Sequence, residues 1–200
     1  NPESKALKTT TAPKTAYNRT AAYNYAHTWW SSANHRCSSS YSSCTPWQYW
    51  GGELCGYGSH GGDCANFVSQ CLLAGGEPPL GRKFCGGSEV GAAALGNWLA
   101  GHGWERTMGS KKAPPSNIAV GDVLVVHTSS SRSSSHATVV MAVNPVRIAC
   151  HSSMHWNASP SIYDSSKPYR EWLHNPSGSS GNLKATITPS EVTGSARWRV

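Results

Sequence analysis

Helical periodicity is confined to the first half of this 200-residue chain and strand periodicity to the second, and this division limits the fold more than any other feature. Tyr17, Ala21, Ala22, Tyr25 and Trp29 recur at helical spacing, which predicts a helix from Tyr17 to about Ala33 with an aromatic face against the core. A second helix begins at Asp63 and carries Phe67, Val68, Cys71 and Leu72 on one face before Gly75-Gly76 stops it. Val90, Ala94, Leu95 and Trp98 mark a third, from Glu89 to about Ala100. Beyond it, residues 118–126 read as a turn feeding a buried strand. His136–Val143 and Val146–Ser152 read as a strand pair around a tight turn at Asn144-Pro145, with two late strands near Leu183–Thr188 and Ala196–Val200. Helices first and strands later predict an α+β fold with the helices on one face of an antiparallel sheet.

The length suits one domain with a hydrophobic core. Residues 1–16 lack periodicity and read as a flexible N-terminal arm. Residues 17–200 form the single domain, in which 34–62 read as a disulfide-pinned loop. Seven cysteines are many for a chain of this size, and their odd number fits three disulfides and one free thiol. With Cys64 free, the other six allow fifteen pairings; Cys37 with Cys44 is the easiest closure, across a short Ser-rich loop, Cys55 with Cys85 and Cys71 with Cys150 are one way to complete the set, and Cys71 reads equally as a core residue. No Cys-x-x-Cys pair exists, so no metal site and no cofactor are expected. The net charge of +7 favours polyanionic surroundings such as an anionic cell wall. Lys and Arg are scattered without a basic run among aromatics, which argues against nucleic acid as the partner. No apolar stretch approaches the roughly 20 residues of a membrane-spanning helix. The Asn1-Pro2-Glu3 start fits a cleaved, mature product, and the cysteines and composition predict a secreted protein, expected as a monomer.

Cys64 stands at the first turn of the second helix, where unpaired backbone N–H groups and the helix dipole favour a thiolate. A nucleophile there needs a base and a group that orients the base. His136 is the candidate base, because it opens a strand directly after a polar loop. If the strands around Asn144-Pro145 pair with an odd register sum, His151, Ser153 and His155 share a face with His136, and His151 or His155 can orient it. Asn144 is a weaker candidate, since turn chemistry already explains it. The backbone N–H of Cys64 is the expected oxyanion donor, with Tyr57, Ser59 or His60 as the second. Asp63 reads as the N-cap of its helix. Trp47, Trp50 and Trp156 lie in polar stretches where a sugar could stack, whereas Trp29 and Trp98 look like core.

The segment from Tyr17 to Ala26 with Trp29-Trp30, followed by Asp63-Cys64-Ala65-Asn66-Phe67-Val68-Ser69-Gln70-Cys71-Leu72 and Ala74-Gly75-Gly76, resembles the secreted bacterial "putative amidase domain" family. That family belongs with the NlpC-type and CHAP-type peptidases of the papain-like superfamily. Gly121-Asp122-Val123-Leu124 is similar to its Gly-Asp start of a strand, and His136-Ala137-Thr138-Val139-Val140 to its histidine strand. Ala149-Cys150-His151-Ser152 falls where the family has a further His. The resemblance implies a papain-like fold, Cys64 as nucleophile, His136 as general base and acid, and His151 as the orienting third member. It also implies a secreted cysteine amidase or peptidase acting on an amide, with the peptide stems of bacterial cell wall as the expected substrate. About thirty extra residues with three cysteines precede the Asp-Cys motif, a departure from the family pattern. A transglutaminase-like acyltransferase keeps the same fold. A disulfide-rich wall- or carbohydrate-binding module without catalysis would instead need Cys64 paired.

Overall fold

A computed structural model describes residues 16–31, 63–78, 80, 91–151 and 154–179. These form three α-helices, α1 (Arg19–Trp29), α2 (Cys64–Ala74) and α3 (Ala92–Gly101), and six strands. The strands are β1 (Glu105–Ser110), β2 (Val123–His127), β3 (His136–Val143), β4 (Val146–Cys150), β5 (His155–Ala158) and β6 (Tyr169–His174). They make one antiparallel sheet in the order β1-β6-β2-β3-β4-β5. The α+β architecture with helices on one sheet face is therefore as the sequence implies. The predicted β3 has its observed bounds, and β4 ends at Cys150. β1, β5 and β6 are additional. Glu89 and Val90, the two late strands, the arm and the 34–62 loop lie outside the described residues.

The helices cover one face of the sheet. Ala22, Ala26, Phe67, Val68, Leu72, Leu95 and Leu99 pack with Val123, Val125, Ala137, Val139, Met141, Ala149 and Leu173. Each fully buried Leu or Phe here contributes about 1.5–3 kcal/mol relative to exposure. On the other face Leu124, Val126, Val140, Ile148 and Trp172 form a second cluster. Tyr163 closes it from a single 3-10 turn, Pro160–Tyr163. α2 is buried from Cys64 through Leu72 and ends where Gly76 turns to φ +89° and its N–H meets the Leu73 carbonyl at 2.9 Å. Gly75 is required for space: a Cβ there would meet the Tyr17 ring at 2.3 Å.

α1 opens with Asn18 as N-cap, whose side chain accepts from the Ala21 N–H at 3.0 Å. Its first residue, Arg19, is buried and ties the helix to the sheet. Nη1 donates to Asp122 Oδ1 at 2.5 Å and to the Val120 carbonyl at 2.9 Å, and Nη2 to the Asn175 carbonyl at 2.6 Å. Asp122 Oδ2 in turn accepts from the Ala119 N–H and from His174 Nδ1, both at 2.7 Å. The Gly121-Asp122 pair is thus a structural anchor at the head of β2.

Two expectations fail here. The Cys71–Cys150 disulfide does not form: both are buried free thiols, Cys71 in the α2 core and Cys150 beside Tyr163 on the opposite sheet face. The sheet between them keeps the sulfurs apart. Four cysteines (Cys37, Cys44, Cys55, Cys85) lie outside the described residues. Second, the β3–β4 register does not hold an odd sum. Val143/Val146 and Ala142/Arg147 are odd, but a shift between Val140 and Ala142 makes Val140/Ile148 and Val139/Ala149 even. One extra residue in β3 reverses the facing of every side chain beyond it.

Two outcomes test this architecture. Arg19→Met strands the Asp122 carboxylate in the interior and is expected to cost about 3–5 kcal/mol, read as a lower urea midpoint. Alkylation of the unfolded chain without reductant is expected to label the peptides containing Cys71 and Cys150 separately, with no linked pair in the mass spectrum.

Candidate active site

The register reversal decides which groups meet. The β3–β4 ladder stops at Val139/Ala149, so the first residues of β3 are paired only with β2, and α2 begins at that open end. Cys64, 8% exposed, is a free thiol. Burial pushes it above its ordinary pKa, the backbone N–H groups of Ala137, Ala65 and Cys64 itself pull it down, and Asp63 pushes it up. Burial dominates, so the sulfur rests as a thiol, not the thiolate expected from its place at a helix start.

His136 lies beside that contact, immediately before Ala137. Its ring sits 5.2 Å from the Tyr163 ring on the face away from the helices. Nε2 is buried with no hydrogen-bond partner among the described residues, so the resting thiol makes no bond to it. Burial above all, with the charges of Lys167 and His155, pushes its pKa down to about 4. His136 is therefore a neutral imidazole at physiological pH.

His151 does not share a face with His136. It stacks on Phe67 of α2 with ring centroids 3.9 Å apart, and both nitrogens are engaged elsewhere. Nδ1 meets Asp63 Oδ2 and Nε2 meets the Trp29 carbonyl, each at 2.6 Å. As an orienter of His136, then, His151 is displaced by the bulge. It instead ties the start of α2 to the last turn of α1. Asp63 occupies the N-cap position, but its carboxylate makes no capping bond. Oδ1 accepts from Asn66 Nδ2 at 2.7 Å, and Oδ2 serves His151.

His155 is the histidine that joins the His136 face. It pairs with Cys150 across β4–β5, meets the Tyr163 ring edge-on at 6.5 Å, and has its own pKa lowered by burial. Cys150 Sγ lies 3.3 Å from the Tyr163 hydroxyl, and burial pushes this second thiol up to about 12. Asn144 stands at the far end of β3, eight residues from His136, about 26 Å along an extended strand. It cannot serve the site. Tyr57, Ser59 and His60, and also Trp47 and Trp50, lie outside the described residues. Trp156 offers no sugar platform: it is buried against Trp30, Tyr23 and His27. Tyr163 gave no sequence signal, because it sits in an irregular Ser-Pro-Ser-Ile-Tyr stretch. Among the described residues no group of His, Cys, Asp and Glu side chains could hold a metal ion, and no helix is long and apolar enough to cross a membrane.

Helices stacked on one face of an antiparallel sheet, with a free thiol at a helix start beside a histidine-bearing strand, define an α+β protein. The chain belongs to the "putative amidase domain" family, whose sequence pattern matches residues 16–173, and at the level of that family it is an amidase-type hydrolase. No curated protein and no solved structure matches it.

The shifted histidine carries a measurable consequence. Below the ordinary His pKa of about 6.5 the unfolded chain takes up a proton at His136 that the folded chain refuses until about pH 4. Stability supplied by this group is full above pH 6.5 and is lost as pH falls toward 4. His136→Ala is expected to flatten that part of the stability–pH curve measured by thermal unfolding.

Proposed function

We propose that the protein hydrolyses an amide bond through a thioester on Cys64, with His136 as general base and then general acid, in a papain-like arrangement. The observation that carries this reading is the meeting of the Cys64 sulfur with the Ala137 N–H at the open end of β3, one residue from a buried imidazole whose Nε2 has no partner among the described residues. Both groups rest neutral, so the proton leaves sulfur as the sulfur attacks, and no ion pair is formed beforehand. Nε2 of His136 receives the thiol proton, the Cys64 sulfur bonds to the carbonyl carbon, and the backbone N–H of Cys64 at the helix start faces the developing oxyanion. Collapse breaks the C–N bond, and His136 returns the proton to the leaving amine. Water, deprotonated by the same imidazole, then attacks the thioester carbon; the C–S bond breaks to release the acid, and the imidazolium gives its proton back to the Cys64 sulfur. His151 serves this scheme through Asp63, by fixing the start of α2.

The preferred substrate is an amide in the peptide stems of bacterial cell wall, reached by a secreted, monomeric enzyme. The chemistry of the family and the cationic chain (+7) support this choice. Cell-wall preparations and chromogenic peptide anilides, assayed by release of new amines, test it. Cys64→Ala and His136→Ala are each expected to remove activity by about 10³-fold or more while leaving the melting temperature nearly unchanged. In the wild type, the acid limb of kcat/KM is expected near pH 4, the position of His136, and not near 6.5. Full activity in Cys64→Ala overturns the reading. Transfer of the acyl group to an added amine, in preference to water, would make the enzyme an acyltransferase.

A further inference from the structure

β6 carries a carboxylate that the proposed reaction does not use. Glu171 is fully buried, yet its cross-strand partners are the apolar Val125 of β2 and Met108 of β1. Arg106 Nε of β1 donates to its Oε1 at 3.0 Å. Arg132 donates to its Oε2 from Nη2 at 2.9 Å and from Nε at 3.2 Å. His127 Nε2 at the end of β2 meets the same oxygen at 2.8 Å. The space is prepared for this cluster: a Cβ on Gly96 of α3 would fall 2.7 Å from Glu171 Oε1 and 3.0 Å from Arg132 Nη2.

Two of these partners reach the loop that delivers His136. Arg132 belongs to that loop and adopts φ +61°, with Ser134 at +46°, backbone that non-glycine residues occupy only when their surroundings hold them. His127 Nδ1 meets Ser135 Oγ at 2.7 Å, and the Ser135 hydroxyl donates to the Arg132 carbonyl at 2.8 Å. Ser135 directly precedes His136. A chain of contacts therefore runs from Glu171 through Arg132 and His127 to Ser135 and ends at the proposed base.

We infer that Glu171 is a positioning residue for His136, acting through Arg132, His127 and Ser135, an inference that rests on the Cys64–His136 reading above. A purely structural carboxylate would stabilise the sheet without setting how His136 meets Cys64. Displacements of an ångström at a reacting group are enough to cost about 10²-fold in rate.

The test reads the alkylation rate of Cys64 by iodoacetamide in the full chain at neutral pH, mapped by peptide mass spectrometry, alongside thermal unfolding. Glu171→Gln keeps the shape and one acceptor; Ser135→Ala cuts the last link and leaves the charge cluster intact, so it serves if Glu171→Gln unfolds. Each is expected to slow alkylation by roughly tenfold or more. In a His136→Ala background, itself slow, the further effect of either substitution is expected to vanish. Equal slowing by Ser135→Ala with and without His136, or no slowing at all, overturns the positioning role. If His136→Ala alone leaves the alkylation rate unchanged, the Cys64–His136 reading fails and the positioning role falls with it. If His136→Ala slows alkylation and Ser135→Ala does not, the positioning role alone is lost.

Discussion

One extra residue in β3 sets the arrangement of everything near Cys64. Without the shift between Val140 and Ala142, His136 and His151 would face the same side of the sheet, in reach of each other. With it, His151 turns toward the helices, stacks on Phe67 and takes Asp63 as partner, while His136 turns away to Tyr163. The bulge also coincides with the early end of the β3–β4 ladder, which leaves the Ala137 N–H open toward the sulfur at the start of α2. A local change in strand pairing thus separates two histidines into two jobs.

Those jobs are complementary. On the helix side, His151 holds the Asp63 carboxylate and the Trp29 carbonyl together, binding the first turn of α2 to the last turn of α1. On the same face, at the start of β3, Arg132, His127 and Ser135 hold the preceding loop, and Arg132 also donates to the Ala93 carbonyl of α3 at 2.8 Å. The two ends of the sulfur–imidazole encounter are therefore fixed by separate buried polar networks, each contributed by elements far apart in sequence. Such networks must be fully satisfied to be tolerable in an interior, and that requirement gives each a defined geometry.

What could be read from the chain follows from the same physics. β3 was legible to the residue because His-Ala-Thr-Val-Val-Met-Ala-Val is framed by a polar loop and a Pro turn. Its bulge was not, since a strand buried on both faces shows no alternation from which register could be inferred. β1 and β6 escaped notice because Glu105, Arg106, Arg170 and Glu171 break the apolar pattern; Arg106 joins the Glu171 cluster, whereas Arg170 pairs with Asp164 and Glu105 accepts from Asn117. Asp63 and Cys64 were placed correctly at a helix start. The partner of Asp63 was not visible, because a carboxylate at an N-cap and a carboxylate paired to a distant imidazole look alike in sequence.

The state of the sulfur shows how competing effects are weighed. A helix terminus stabilises an anion by about 0.3–1 kcal/mol, and by up to about 2 in partly buried geometry. Full burial of an ionisable group moves its pKa by as much as several units, about 1.4 kcal/mol for each. At Cys64 the terminus and three backbone N–H groups act against burial and against the Asp63 carboxylate one residue away, and burial wins. A thiol held neutral is a poor nucleophile until a base removes its proton, so a Cys64-centred reaction depends on the protonation state of His136. The same burial that silences the thiol keeps that imidazole neutral down to about pH 4, ready to accept. In the proposed reaction, desolvation trades a standing thiolate for a proton transfer that occurs only when a carbonyl carbon is in place. An enzyme built as proposed is protected from adventitious thiol chemistry at neutral pH, and its activity rests on the placement of the base more than on the acidity of the sulfur.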